Sequence, residues 1–271
     1  MSRISQRFAE LAAAGRKAVI PYVVAGDPTP GLTVPLLHEL VDAGADVLEV
    51  GVPFSDPMSE GPVIQRGHER ALVNRIRLRD VLEMVRDFRN QDPHTPLLLM
   101  GYANPVEHMG YAAFADAAAA AGVDGLLTVD VPPEEVDRVN RELKRVGMDN
   151  IFLIAPTTPE TRLHLITDQA SGFIYYVSLR GVTGAANLDI DDVSDHVARI
   201  RGCTALPVCV GFGIKDAASA AAVARVADGV VVGSALVSLV ADSIAKGGDQ
   251  SDAIAAATSL LRDIRSGIDA L

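Results

Sequence analysis

Tryptophan is absent and aromatic residues make up only 4% of the 271. Cysteine is nearly absent too. Cys203 and Cys209 stand six residues apart with no His or Cys at ligand spacing, which supports neither a disulfide framework nor a zinc site; two buried thiols are the expectation. The only lysines are Lys17, Lys144, Lys215 and Lys246, none inside an expected strand, which argues against a Schiff-base aldolase. Six histidines fall in helices or connections without forming a ligand cluster, so a metal-dependent aldolase loses support as well. Basic residues number 24 against 35 acidic ones, a net charge of −11 with no basic run, which excludes nucleic acid and anionic membrane as natural partners. The longest apolar stretch, 229–241, is interrupted by Ser234 and Ser238, and the charged, amphipathic start lacks a signal-peptide core. A cytoplasmic protein is expected, and the turn after the first strand, Ala25-Gly26-Asp27-Pro28, lacks a dinucleotide fingerprint.

What is present is an alternation. Short β-branched runs bounded by Gly, Pro or Asp recur at 18–24, 47–52, 96–102, 125–129, 151–154, 173–178, 207–210 and 229–232. Stretches of helical periodicity lie between them, as at 32–43, 78–90, 133–146 and 217–226. Near-continuously apolar strands mean a parallel sheet covered on both faces, and eight strand–helix units in this length predict a closed (β/α)8 barrel, one domain over 1–271. The intervals after strands 2 and 6, 53–60 and 179–188, exceed what a plain barrel needs. Loops at the strands' carboxyl ends build barrel active sites, so the excess reads as function or as a tolerated insertion.

Glu49 interrupts the apolar run 47–52, and period two aims its carboxylate into the core. Burying a carboxylate requires an ion pair, a raised pKa or a functional role. Asp56 and Glu60, in a proline-stiffened loop just beyond, bring further acids to the same end of the barrel, which permits divided acid and base roles. Glycine turns follow the last three strands at Gly181–Gly184, Gly211–Gly213 and Gly233-Ser234. Each is expected to expose backbone N–H groups where a helix starts, which favours a phosphorylated ligand. Tyr22, Tyr102, Tyr175, Tyr176 and Phe212 fall in or just past strands, consistent with a flat apolar ligand or with plain packing.

Taken in order, PYVVAGDP at Pro21, DVLEVGVPFSDP at Asp46, GPVIQ at Gly61, MGYANP at Met100, GVDGLL at Gly122, GVTGA at Gly181, GFGI at Gly211 and GS at Gly233 span nearly the whole chain. The chain thereby resembles the tryptophan synthase α chain family. The resemblance implies a lyase that cleaves indole-3-glycerol phosphate by retro-aldol chemistry to indole and glyceraldehyde 3-phosphate, with no cofactor in this chain. It assigns Glu49 to proton transfer at indole C3 and the glycerol hydroxyl, and Glu60 to the indole N–H. The family usually has aspartate where this chain has Glu60. The longer side chain displaces the carboxylate by on the order of 1 Å, an error that costs roughly a hundredfold in rate unless the loop absorbs it; retained activity is expected.

By the same resemblance Thr183 orders this acid when the loop after strand 6 closes. Tyr22, Tyr102, Leu127 and Phe212 line the indole pocket, Tyr175 stands beside the reacting side chain, and Gly184, Gly213, Gly233 and Ser234 hold the phosphate. The implied partner is a β chain containing pyridoxal phosphate, in an assembly of two α and two β chains that receives indole directly, with Pro53, Phe54, Asp56 and Asn104 on the docking surface. Two alternatives use the same barrel: a free-standing indole-releasing lyase, and a non-catalytic allosteric partner of the β chain. Another phosphate-binding barrel isomerase would require the whole ordered motif set to coincide by chance.

Overall fold

A computed structural model describes residues 2–178, 189–211 and 213–271. Apolar runs with no polar face must pair on both edges and be covered on both sides. Eight do so: β1 (Ala18–Val24), β2 (Leu48–Gly51), β3 (Leu97–Gly101), β4 (Gly125–Thr128), β5 (Asp149–Ile154), β6 (Ile174–Val177), β7 (Val208–Gly211) and β8 (Gly229–Val232). They lie parallel in chain order, and β8 pairs with β1 (Ala18↔Gly229 to Pro21↔Val232) to close the barrel. Each of the eight expected strands forms, some shorter at their ends than the apolar run suggests.

Among the described residues twelve α-helices accompany them: α1 (Arg3–Ala13), α2 (Thr33–Asp42), α3 (Pro62–Val73), α4 (Leu78–Arg89), α5 (Ala103–Met109), α6 (Tyr111–Ala121), α7 (Asp137–Val146), α8 (Glu160–Gln169), α9 (Ile190–Arg201), α10 (Ala217–Ala224), α11 (Ser234–Ala245) and α12 (Gln250–Asp269). Helix α7 starts four residues later than its periodicity suggests, because 133–136 form turns after the Pro132-Pro133 pair. None of the described helices is long and apolar enough to cross a membrane.

Strand side chains sort by parity. Val19, Val23, Leu48, Val50, Leu97 and Leu99 face outward under the helices. Ala18, Ile20, Val47, Leu98, Leu127, Ile151, Tyr175, Cys209 and Val231 face inward. The bottom of this interior is plugged by α1, whose Ile4, Phe8 and Leu11 recur at one helical stripe. Its polar side reaches two of three acids that precede even-numbered strands, Asp46 through Arg7 and Asp124 through Arg3. Asp46 accepts from Val19 N–H (2.9 Å), Arg7 (2.6 Å) and Arg265 (3.0 Å). Asp124 accepts from Leu97 N–H (2.8 Å), Arg3 (2.6 Å) and Arg89 (2.8 Å), and Asp228 from Val208 N–H (2.9 Å) and Arg201 (2.7 Å). Each acid so ties its own strand to the first residues of the preceding one, and the bottom becomes a closed, ion-paired end. The open end is left to the strands' carboxyl termini. Both cysteines are free, Cys209 buried inside the barrel as expected, whereas Cys203, contrary to expectation, is partly exposed after α9 with its Sγ 3.8 Å from His164 Nε2.

Candidate active site

The register of β1 and β2 puts Tyr22 beside Glu49, both pointing inward at the open half of the barrel. Glu49 is 1% exposed, and neither of its oxygens has a hydrogen-bond partner among the described residues. Among the described residues no arginine pairs with it. Burial, and secondarily the charge of Glu60, pushes its pKa up to about 8. At neutral pH Glu49 therefore carries its proton and can give it away.

Glu60 ends the loop after β2, next to Gly61, the N-cap of α3. Its side chain is 9% exposed and stands 3.8 Å from Nε2 of His68. The loop is pinned from several sides. The Phe54 ring stacks on Tyr102 (centroids 4.8 Å apart), Ser59 N–H donates to the Tyr102 hydroxyl (3.3 Å), and the Gln65 amide donates to the Glu60 carbonyl (3.0 Å). Phe54 N–H donates to His68 Nδ1 (3.2 Å). So many specific contacts favour a loop built to place its acids over a tolerated insertion, and they give Tyr102 a loop-bracing task.

Two phenols complete the chamber. Tyr22 and Tyr175 are buried, and each lies over a glycine of the neighbouring strand. A Cβ at Gly51 would stand 2.8 Å from Tyr22 Cζ, and one at Gly211 2.7 Å from Tyr175 Cζ. Only glycine leaves room for these rings. Burial holds both phenols well above their ordinary pKa, reinforced by Glu60 and Glu49 at Tyr22 and by Glu49 and Glu60 at Tyr175. Both acids thus act electrostatically on both rings, which stay protonated donors. Leu127, fully buried on β4 in register with Met100, adds an apolar wall.

At the other side of the mouth α11 begins directly after β8. Its N-cap Gly233 offers no side-chain cap, and a Cβ there would touch Tyr22 at 3.5 Å, so the helix start borders the chamber. Ser234, the first residue of α11, is exposed. Gly213 adopts φ +76°, the left-handed region. The expectation that each glycine turn sits where a helix starts holds for Gly233-Ser234 but not for Gly211–Gly213. Helix α10 starts only at Ala217, and its first turn is already capped by Asp216, which accepts from Ser219 N–H (2.8 Å). Thr183, Gly184 and Phe212 lie outside the described residues. On the rim, Pro53 is buried, Phe54 half-buried, and Asp56 and Asn104 exposed, with Met58 75% exposed beside them.

His68 was not among the residues the sequence singled out. It lies on the face of α3 that carries Ile64, Gly67 and Ala71, all buried, and an imidazole on an otherwise apolar stripe was the available signal. No group of three or more potential metal ligands occurs among the described residues.

A buried carboxyl group with a raised pKa, unpartnered among the described residues and within the influence of a second acid at the carboxyl end of a closed parallel barrel, is the arrangement of a (β/α)8 enzyme site. A family model described as tryptophan synthase alpha chain matches residues 8–265. The tryptophan synthase alpha chain of Thioalkalivibrio sulfidiphilus is 64% identical over 242 residues, covering 89% of this chain and 91% of that one. That of Thiobacillus denitrificans is 56% identical over 270 residues, covering 100% and 97%. The crystal structure of the Legionella pneumophila alpha subunit superposes with a TM-score of 0.93 at 46% identity, covering both chains fully. The chain belongs to the tryptophan synthase alpha chain family. It is a lyase of tryptophan biosynthesis, and its reaction is the cleavage of indole-3-glycerol phosphate.

Proposed function

We propose that Glu49 is the acid and base of this cleavage and Glu60 the acceptor of the indole N–H, in one barrel unit that needs no cofactor of its own. Glu49, neutral at rest, delivers its proton to indole C3, and the ring becomes an indoleninium whose N–H donates to the Glu60 carboxylate. The carboxylate now left at Glu49 removes the proton of the hydroxyl on the adjoining glycerol carbon. The oxygen's electrons form the aldehyde, the carbon–carbon bond breaks, and its pair returns to the ring. Indole and glyceraldehyde 3-phosphate leave, and Glu49 holds a proton again. The observation that carries this reading is the buried, unpartnered Glu49 with its pKa of about 8, since an ordinary carboxylate has no proton to give at neutral pH.

Around these two acids, Tyr22, Tyr102, Leu127 and Phe212 form the indole pocket, Tyr175 braces the reacting side chain, and Thr183 orders Glu60. Gly184, Gly213, Gly233 and Ser234 hold the phosphate, and the uncapped start of α11 supports that assignment because free N–H groups there favour an anion. The rim of Pro53, Phe54, Asp56 and Asn104 meets a β chain that carries pyridoxal phosphate, two of each chain forming the assembly in the cytoplasm. Steady-state cleavage of indole-3-glycerol phosphate, with and without β chain, tests the whole. Glu49→Gln and Glu60→Gln should each abolish turnover, while Glu60→Asp keeps it within about a hundredfold of wild type. Absent turnover in the unaltered chain, with β-chain stimulation preserved, would leave only a regulatory subunit; fast indole release without any β chain would favour the free-standing lyase.

A further inference from the structure

We propose that His68 is a positioning residue for Glu60: its Nε2–H steers the glutamate carboxylate onto the indole N–H. The inference rests on the role proposed above for Glu60. His68 is 1% exposed, held on α3, and its two ring nitrogens have different neighbours. Phe54 N–H donates to Nδ1 at 3.2 Å. A backbone N–H can only donate, so Nδ1 carries the lone pair and the ring proton is on Nε2. That Nε2–H points between the Tyr22 hydroxyl (3.5 Å) and the Glu60 carboxylate (3.8 Å). The carboxylate is an acceptor only, and a movement of about 0.8 Å closes the gap to a normal hydrogen bond. Glutamate has one more rotatable bond than aspartate, so its carboxylate needs a lateral guide to be held in one place. His68 supplies that guide from a helix face, and the Tyr22 hydroxyl fills the other side of the same donor. The groups around the ring are then Glu60 and Tyr22 at Nε2 and the backbone of the 53–60 loop at Nδ1, with Asp27, held by Arg70, the neighbouring acid beyond the end of β1.

The two amide variants divide the ring. His68→Asn keeps an acceptor near the Nδ1 position, and with it the loop contact, but loses the donor at Nε2. His68→Gln keeps a donor near Nε2 and loses the loop acceptor. Steady-state cleavage of indole-3-glycerol phosphate by the full chain with its β partner should show kcat reduced roughly 10- to 100-fold in His68→Asn, with KM changed far less, and recovered to within about threefold of wild type in His68→Gln. In a Glu60→Asp background, where the shorter side chain draws away from Nε2, the His68→Asn penalty should shrink to less than threefold. The reverse order, Asn near wild type and Gln impaired, would make His68 a loop anchor only and overturn the proposal. Equal loss in both variants, unchanged by Glu60→Asp, would overturn it as well. Because His68 is buried, its Nε2 nitrogen-15 resonance in the unaltered chain gives a reading independent of folding: it should move on adding a non-cleavable indole alkyl phosphate and stay still with the N-methylindole counterpart. A resonance that ignores both ligands refutes the coupling. If Glu60→Gln leaves turnover intact, the role of Glu60 itself fails; if it abolishes turnover while His68→Asn does not slow it, only the positioning role fails.

Discussion

Replacing Glu49 by glutamine should stabilise the protein, and more so the higher the pH. In the unfolded chain this carboxyl titrates near 4.5, in the fold near 8. Between those values the native state holds a proton that the unfolded state has released, so stability falls as pH rises, and the penalty is complete above pH 8. A difference of about 3.5 units is worth on the order of 4 to 5 kcal/mol in total. Of this about 3 kcal/mol accrues between pH 5.5 and pH 9. Glutamine has no proton to lose, so the variant lacks this slope. With an unfolding entropy of about 2 cal/mol/K per residue, 3 kcal/mol corresponds to roughly 5 °C for a chain of this size. Thermal midpoints of wild type and Glu49→Gln at pH 5.5, 7 and 9 should therefore diverge by about 5 °C across the series. The isosteric amide removes the charge without opening a cavity, so packing changes cannot imitate a pH-dependent gap. Parallel curves would mean that Glu49 ionises in the fold as freely as in the open chain. It would then hold no proton at neutral pH, and the acid role would fall with it.

In its proposed role Glu49 starts protonated in the free enzyme, so kcat/KM should decline as pH rises through about 8, and the midpoint should move to lower pH in any Glu60→Gln preparation with residual turnover, because the second cause of the elevation is then gone; a flat profile across pH 7 to 9.5 contradicts this. Gly211→Ala should cost about 1–3 kcal/mol by driving a methyl into the Tyr175 ring, and Tyr175→Phe should restore part of the stability, since the hydroxyl is the nearest obstacle; chemical denaturation of the double-mutant cycle reads it. Arg265→Met should lower the thermal midpoint by an amount equivalent to about 2 kcal/mol, leaving Asp46 with Arg7 alone, without changing the kcat of cleavage, because this pair lies at the closed end of the barrel; an equal drop in kcat would contradict the separation of the two ends.

The barrel was legible because its signal is repetitive. Each strand is an apolar run with a polar punctuator, and eight of them in one chain leave a closed parallel sheet as the natural solution. Glu49 was legible for the same reason: a carboxylate in the middle of such a run has to be aimed at the interior. The helix starts were less so. Gly211–Gly213 and Gly233-Ser234 look alike as text, yet α11 begins at the second pair, whereas α10 waits for Asp216 to cap it. Capping depends on where the backbone leaves the strand, and sequence spacing does not carry that.

The sequence by itself determined the strand order, the parity that sends Tyr22, Glu49 and Tyr175 inward, and the family, whose motifs are local strings in a fixed order. Tertiary structure alone decided what surrounds those side chains. Whether Glu49 meets an arginine or nothing at all is a matter of closure, because its potential partners come from strands and loops far along the chain; among the described residues it meets none, and burial then raises its pKa. The placing of His68 between Glu60 and Tyr22 has the same origin. A helix face, a loop and a strand distant in sequence converge at one imidazole, and only folding brings them within 4 Å.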